Sequence, residues 1–449
     1  MNDTIYALAT PLGNGVAVIR ISGPKAEGAL RALFSRKGDY ESHKLYHGLI
    51  TDGEEPVDDA MAVLMRAPKS YTGEDTAELH IHGSPAVAKK VLELLSRAGL
   101  RLAEPGEFTR RAFENGKLDL SQAEAVMDLV SAAAESQAKA ALDQLRGSLK
   151  GPITALQDRL TDAIARAEAG IDYPEEDWEG EIADELIPAL SEVRSKLHKL
   201  AEGGVQGRII RDGLKVALCG RPNVGKSTLL NALLGENRAI VTALPGTTRD
   251  IIEERVDWMG LPVRLIDTAG LRDTGDEVEK IGVERARAAM QEADLALLLF
   301  DGAQPFTDED AGIVEEAEGL PALAVVTKGD LPQVISPEEI AEKTGLKAVS
   351  VSALSPDGLD ALKQAVYAFF ESRSPAEKPD ALVTNRRHLD AIETALESVT
   401  SAIKALKKQD LDCATIDLRR AWRALGEISG LTVDEAIVDR IFEKFCLGK

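Results

Sequence analysis

The run Gly220-Arg221-Pro222-Asn223-Val224-Gly225-Lys226-Ser227 has the spacing G-x-x-x-x-G-K-[ST] and lies between two apolar stretches, Lys215 to Cys219 and Leu229 to Leu234. That context confines this part of the chain to strand, tight loop and helix, the first unit of a parallel α/β sheet. The glycines let backbone N–H groups and the helix N-terminus converge on phosphate oxygens. Lys226 adds a point charge for the β and γ phosphates, and Ser227 offers its hydroxyl to Mg²⁺. Asn223, Val224, Gly225 and Thr228 complete the expected nucleotide cradle. Cys219, on the entering strand, reads as core.

Further short apolar strands follow at Val263 to Asp267, Leu295 to Asp301, Leu323 to Thr327 and Ala348 to Val351. Strands alternating with helices predict a doubly wound, mostly parallel sheet whose ligand site lies beyond the strand ends. There the sequence places Asp267-Thr268-Ala269-Gly270, with Asp267 near the magnesium and Gly270 where a γ phosphate is sensed. Thr327-Lys328-Gly329-Asp330 and Ser352-Ala353-Leu354 end two later strands. Together these resemble the guanine-reading motifs of GTPases. A carboxylate at Asp330 can accept from guanine N1–H and N2–H₂ at once, a pair adenine does not present, so GTP is the expected nucleotide. Those motifs usually have Asn where this chain has Thr327, which predicts a looser tie between base loop and phosphate loop and weaker guanine binding. Ser352 and Ala353 act through their backbone, so the identity of Leu354 matters little.

Thr242-Ala243-Leu244-Pro245-Gly246-Thr247-Thr248-Arg249-Asp250 reads as a switch loop, with Thr248 a second Mg²⁺ ligand. Its Gly-Thr-Thr-Arg-Asp run, taken with Asn223, looks like the translation-factor-related GTPases that use potassium. Leu271 follows Gly270, where small GTPases carry a water-orienting glutamine, so another catalytic group is needed. In the potassium-activated enzymes K⁺ occupies the arginine-finger position. The resemblance assigns its ligands to the Asn223 side chain and the carbonyls of Thr242, Leu244 and Thr247. Asn223 stabilising only its own turn, or a finger from Arg221 or Arg249, are the alternatives. In the acidic run Asp276 to Gly282 the residues alone do not single out a water-orienting group.

At 449 residues the chain predicts two to four domains. Residues 1–118 alternate short strand-like runs, such as Gly15 to Ile21 and Ala77 to His82, with Gly and Pro and read as a small α/β domain. Residues 119–210 read as helical. One long helix is expected from Ser121 to Arg146, started by a Ser121/Glu124 capping box, and helical pattern continues from Ile153 to Ala169, breaks at Asp172-Tyr173-Pro174 and resumes from Ile187 to Leu200. Gly203-Gly204 reads as the break before the nucleotide domain, 211–374. Helical periodicity returns over 375–449, where Thr432 and Glu435 frame the last helix. The α/β unit is thus inserted within a helical domain.

The longest uniformly apolar stretch, Leu295 to Phe300, is far below bilayer-spanning length, and no basic, apolar leader opens the chain, so a cytoplasmic protein is expected. Three cysteines, Cys219, Cys413 and Cys446, support neither a disulfide framework nor a zinc cluster. A net charge of −22 opposes binding to a phosphate backbone, so a nucleic-acid substrate requires a local basic patch or a basic partner.

The ends of the chain carry a more specific resemblance. Phe445-Cys446-Leu447-Gly448-Lys449, with Asp3-Thr4-Ile5, Arg20-Ile21-Ser22-Gly23, Tyr71-Thr72-Gly73-Glu74-Asp75, Pro105-Gly106-Glu107-Phe108-Thr109 and Asn115-Gly116-Lys117-Leu118-Asp119-Leu120, is similar to the tRNA modification GTPase family MnmE, also called TrmE. The resemblance covers the whole chain. It implies an N-terminal domain like tetrahydrofolate-binding one-carbon enzymes, a helical domain, and an inserted Ras-like GTPase that requires Mg²⁺ and is stimulated by K⁺. It implies Glu279 as the group orienting the attacking water, and a folate site at Arg20, Glu78, Lys117 and Lys449 for 5-formyltetrahydrofolate or 5,10-methylenetetrahydrofolate. A pterin with paired donors suits Glu78, and a tail of carboxylates suits Arg and Lys. It also implies a homodimer, the FAD-dependent partner MnmG (GidA), tRNA held through that complex, and a (carboxymethyl)aminomethyl group added at C5 of wobble uridine U34. Glu78, His80 and His82 share one strand face, which is either a metal site or a solvated polar face from which Glu78 reaches the folate. Cys446, flanked by Lys444 and Lys449, is either a catalytic thiolate or a small apolar residue of the last helix. Cys413 is expected to be structural. Two other classes share parts of the pattern. A ribosome-assembly GTPase has the Asn-containing phosphate loop but not the Cys-Leu-Gly-Lys end, and a membrane-remodelling GTPase conflicts with the acidity.

Overall fold

The computed structural model describes residues 3–172, 179–236, 253–267, 290–355, 358–373 and 381–449. They fall into two compact units. The first comprises residues 1–127, 145–153 and 423–449, and the second 128–144 and 154–422.

Six strands form the first unit's sheet: β1 (Ile5–Leu8), β2 (Val16–Ser22), β3 (Leu45–Asp52), β4 (Glu55–Met65), β5 (Thr76–His82) and β6 (Arg101–Leu102), in the order β3-β4-β5-β2-β1-β6. Strict alternation sets its faces. Ala17, Ile19 and Ile21 of β2 and Ala77, Leu79 and Ile81 of β5 point into a core completed by the helices Ala26–Leu33 and Pro85–Arg97. The opposite face carries Arg20, Glu78, His80 and His82, and pairing β2 with β5 sets Arg20 directly across from Glu78.

The C-terminal residues pack in this same unit. Val438, Phe442 and Phe445 cluster with Leu120 and Ala123. Gly448 has φ +89°, and a Cβ there would stand 2.3 Å from the Leu8 carbonyl oxygen, so the tail can run along β1 only as glycine at this position.

In the second unit a six-stranded sheet joins β7 (Leu214–Cys219), β8 (Glu253–Trp258), β9 (Leu261–Asp267), β10 (Leu295–Asp301), β11 (Ala322–Thr327) and β12 (Ala348–Ser350) in the order β12-β11-β10-β7-β9-β8. All pairs are parallel except β8 with β9. Every residue of β10 is buried, because the sheet is covered on both faces: Leu297 and Leu299 meet Leu229, Leu362 and Val366 on one side, and Leu298 and Phe300 meet Ile340 on the other. This is the expected doubly wound sheet. The antiparallel edge strand β8 turns only Val256 and Trp258 inward, between Arg255 and Asp257, a pattern too short to single out in the sequence. The long helices Glu179–Glu202 and Arg386–Leu406 lie against each other in this unit.

Several helix boundaries differ from expectation. Ser121 to Arg146 is not one helix but two, Leu120–Ser131 and Glu135–Leu145. The Gln137 carboxamide oxygen accepts from the Ala133 and Ala134 N–H groups and so caps the second helix at the break. The first helix is capped by Asp119 rather than by Ser121: Asp119 Oδ1 accepts from Gln122 N–H at 2.8 Å and Gln122 Oε1 from Asp119 N–H at 3.1 Å. Asp434, whose side chain accepts from Ala436 N–H, likewise caps the last helix, Glu435–Phe442, in place of Thr432. Helix resumes at Glu179, well before Ile187, and holds Pro188 inside it. Gly203-Gly204 is not a break, since a helix spans Gly204–Asp212. A Cβ on Gly204 would fall 2.6 Å from Leu389 and one on Gly207 2.0 Å from the Val383 carbonyl, so these glycines admit close helix packing.

Candidate functional site

At the end of β7 the chain turns through the phosphate loop and enters the helix Lys226–Glu236. Asn223 and Gly225 have φ of 61° and 104°, which opens the loop so that successive N–H groups face one way. Asn tolerates this left-handed conformation better than most residues, which gives it a local reason to occupy position 223. A Cβ on Gly220 would lie 2.9 Å from Leu299 O, so the loop hugs the neighbouring strand. Lys226 Nζ donates to the carbonyls of Gly220 and, at 3.0 Å, Arg221. The ammonium is thereby held over the loop mouth, where phosphate oxygens are the acceptors it suits best. Ser227 and Thr228 follow on the first helical turn. Arg221 Nε lies 3.4 Å from the buried Asp310 carboxylate, a partner that argues against its use as a finger.

The base loop follows β11. Thr327, 3% exposed, donates its hydroxyl toward Val224 O at 2.6 Å and lies 3.0 Å from Phe300 O. The expectation that Thr327 loosens the base loop is therefore corrected. Its hydroxyl joins the end of β11 to the phosphate loop directly, although one O–H proton serves one carbonyl at a time. Lys328 adopts φ 59°, and its Nζ donates to Asp301 Oδ2 at 2.6 Å. Gly329 N–H donates to Val351 O at 2.9 Å, and Ser352 Oγ donates to Asp330 Oδ1 at 3.0 Å, so Asp330, Ser352 and Ala353 converge at the end of the sheet. Leu354 is 77% exposed. A carboxylate so placed, beside a lysine fixed along the loop, offers two acceptors in one plane to a base bearing two adjacent donors.

Asp301 is a residue of this candidate site that sequence reasoning missed. It is 5% exposed, closes β10, accepts from Ala303 N–H and anchors Lys328. The available signal was an acid at the C-terminal end of a central strand.

Asp267 ends β9 in register with Leu218 of β7. Thr242, Ala243, Leu244, Pro245, Gly246, Thr247 and Thr248, then Thr268, Ala269 and Gly270, and also Glu279, lie outside the described residues.

A second cluster stands on the other face of the first unit's sheet, partly covered by Tyr71 and Phe108. Arg20 Nε donates to Glu78 Oε1 at 2.8 Å, and the guanidinium lies 5.2 Å from the Tyr71 ring centroid and 5.7 Å from that of Phe108. His80, 3.6 Å from Glu78, together with Arg20 holds the Glu78 carboxyl below its ordinary range against the opposing effect of burial. Lys117 Nζ donates to Pro68 O at 2.9 Å, and Lys449 N–H to Cys446 O at 3.3 Å. The fold thus brings Arg20 and Glu78 into contact, while Lys117 and Lys449 engage backbone carbonyls. His82 turns to Asp58 at 2.7 Å, and no group of three or more His, Cys, Asp and Glu able to hold a metal occurs among the described residues.

Cys219 is buried, with its thiol pushed up to about 12 by that burial, in keeping with a core role. Cys413 is exposed, and Cys446 is half-buried. No helix among the described residues is long and apolar enough to cross a membrane.

Comparison with known proteins adds independent findings. A family model described as the MnmE helical domain matches residues 120–446, and one described as the GTP-binding protein TrmE N-terminus matches residues 4–117. A tRNA modification GTPase MnmE from Alkaliphilus oremlandii is 44% identical over 459 residues, covering 100% of both chains. The protein of the same name from Geobacillus thermodenitrificans is 44% identical over 458 residues, covering 100% of this chain and 99% of its own. Among solved structures, the G domain of the T. maritima FeoB iron transporter is 29% identical, covers 35% of this chain and 98% of its own, and superposes with a TM-score of 0.28.

Proposed function

Because the chain belongs to the MnmE family of tRNA modification GTPases, we propose that GTP hydrolysis in residues 220–354 drives a conformational cycle used to build a (carboxymethyl)aminomethyl group at C5 of wobble uridine U34. The observation that carries this reading is the pairing of a guanine-reading carboxylate, Asp330, with a phosphate loop to which Thr327 ties the base strand. The four segments 1–118, 119–210, 211–374 and 375–449 divide the work: folate binding, helical support, GTP turnover, and the return of the chain to the cysteine-bearing tail.

Ser227, on the first turn of the helix after the loop, suits Mg²⁺, with Thr248 as the second hydroxyl ligand. K⁺ would be held by Asn223 and the carbonyls of Thr242, Leu244 and Thr247, where it would supply the positive charge that an arginine finger otherwise brings, with Glu279 as the group to orient the attacking water. In the first unit, the ionised Glu78 matches the paired donors of a pterin, and Arg20, Lys117 and Lys449 match a carboxylate tail. A folate bound there would supply the one-carbon unit. The FAD enzyme MnmG, a homodimer of this chain and a cytoplasmic setting complete the reading. The net charge of −22 favours a division in which the partner contributes much of the tRNA contact.

Nucleoside mass spectrometry of tRNA from cells lacking the gene tests the assignment, with loss of the modified wobble uridine expected and unchanged wobble uridines refuting it. Turnover in KCl against NaCl at matched ionic strength tests the ion, and equal rates would exclude a role for K⁺.

A further inference from the structure

The phosphate loop is held at two points by groups that lie outside it. From the base loop, Thr327 Oγ1 donates toward Val224 O at 2.6 Å. At the start of the loop, Arg221 Nε faces Asp310 Oδ1 at 3.4 Å, and the two side chains are only 15% and 2% exposed. A carboxylate taken this far out of water is costly unless a cation compensates it, so the guanidinium beside it is a partner rather than a chance surface neighbour.

Asp310 is fixed from its own side. It lies in the first turn of the helix Asp308–Glu316, and its Oδ2 accepts from Thr307 N–H at 2.9 Å and from the Thr307 hydroxyl at 2.8 Å in a capping box. The other oxygen, Oδ1, makes no hydrogen bond among the described residues and is the one that faces Arg221. The helix is seated on the sheet: Ile313, Val314 and Ala317 pack with Cys219, Leu298 and Phe300, and Phe306 stacks on Phe300 with ring centroids 5.8 Å apart. Cys219 immediately precedes the phosphate loop. The carboxylate therefore has a set place relative to the root of that loop.

Arg221 passes this anchorage on. Its carbonyl accepts from Lys226 Nζ at 3.0 Å, beside the Gly220 carbonyl that the same ammonium bonds. Holding the guanidinium restricts the backbone at 221, and Pro222 fixes φ on the far side of the same peptide. We infer that Asp310 is a positioning residue of the nucleotide site, which acts through Arg221 on the carbonyl that seats Lys226 and is not itself a ligand of the nucleotide. This rests on the reading that residues 220–227 bind the phosphates of GTP.

A double-mutant cycle on the full chain tests it, read as the GDP dissociation constant. D310N keeps the size of the side chain and an acceptor for Thr307 but removes the charge, and GDP should bind about 3- to 30-fold more weakly. R221Q, which removes the other partner, should cause a similar loss. The double variant should be no weaker than either single one, because the two side chains act as a unit. A merely structural role for Asp310 in the helix cap would instead give losses that multiply. Unchanged GDP affinity in D310N overturns the inference, as do losses that multiply in the double variant. Should D310N not fold, R221Q decides: unchanged affinity overturns the inference, and a loss of the stated size upholds it. If the unmodified chain binds GDP no better than K226A does, it is the GTP reading that fails.

Discussion

The two candidate sites of this chain are built in opposite ways. In the second unit, the nucleotide residues sit at or within a few positions of strand ends, and their partners are mostly backbone carbonyls of the same strand ends and loops: Lys226 bonds those of Gly220 and Arg221, Thr327 that of Val224, and Gly329 that of Val351. In the first unit, Arg20 and Glu78 are 58 positions apart and meet only because β2 pairs with β5 in one register. A site of the first kind is specified by a short string of residues and stands or falls with single side chains. A site of the second kind depends on the pleat, so it is hard to find in the sequence. A slip of either strand by one residue would turn its member of the Arg20–Glu78 pair into the core and break the pair.

The comparison is sharpest at Asp330. Replacing it with Asn removes the carboxylate proposed to accept from both guanine donors, and charge-assisted hydrogen bonds contribute about 1.5–3 kcal/mol each. Guanine nucleotide affinity of D330N should fall about 10²- to 10⁴-fold by isothermal titration, with the fold intact by circular dichroism. Undiminished GDP binding would remove Asp330 from the base site.

Next in size is Thr327. T327V keeps the shape but leaves Val224 O, in the phosphate loop, without its buried donor, at a cost of about 1–3 kcal/mol. The GDP dissociation constant should rise about 5- to 100-fold, and T327N, with two N–H donors, should recover most of the loss. Affinity unaffected by T327V would mean that the hydroxyl is not the tie between the two loops.

Gly448 tests the other kind of construction. G448A places a Cβ against the Leu8 carbonyl and forces an L side chain into φ +89°. Strain of this kind costs about 1–3 kcal/mol, so a lower melting temperature is expected, together with faster trypsin cleavage after Lys444. Both should occur without change in GDP affinity. A melting temperature equal to that of the unmodified chain would show that the tail is not fixed along β1.

These contrasts explain what the sequence disclosed. The phosphate loop, five of the six strands of the second sheet and the Asp330 region were legible because each is local, a run of apolar residues ending in Gly, Asp or Lys. The Lys328 to Asp301 pair was not, because it joins the ends of two strands whose adjacency is a tertiary fact. Helix starts were misplaced where two capping patterns overlapped. Ser121/Glu124 and Asp119/Gln122 satisfy the same spacing, and only the hydrogen bonds show that Asp119 caps. The Gly203-Gly204 pair has the look of a break in sequence because glycine frees the backbone, whereas in the fold Gly204 provides room for Leu389.

The smallest expected effect is at Glu78, and its pH dependence tells an ion pair from a mere neighbour. His80 and then Arg20 lower its carboxyl from the ordinary value of 4.5. A carboxyl whose folded pKa lies below its unfolded one adds stability that is complete above the unfolded value and is lost as the pH falls through the folded one. E78Q should therefore lower stability by about 1 kcal/mol or less near neutral pH, since the pair is partly exposed. The gap in melting temperature between E78Q and the unmodified chain should stay constant down to roughly pH 5.5 and close below 4.5, as the native carboxylate takes up its proton. A gap that did not change with pH would assign the loss to altered packing against Tyr71 and Phe108. Closure in acid would show that this face of the first unit's sheet keeps an ionised carboxylate at physiological pH, the state that a ligand with paired N–H donors requires.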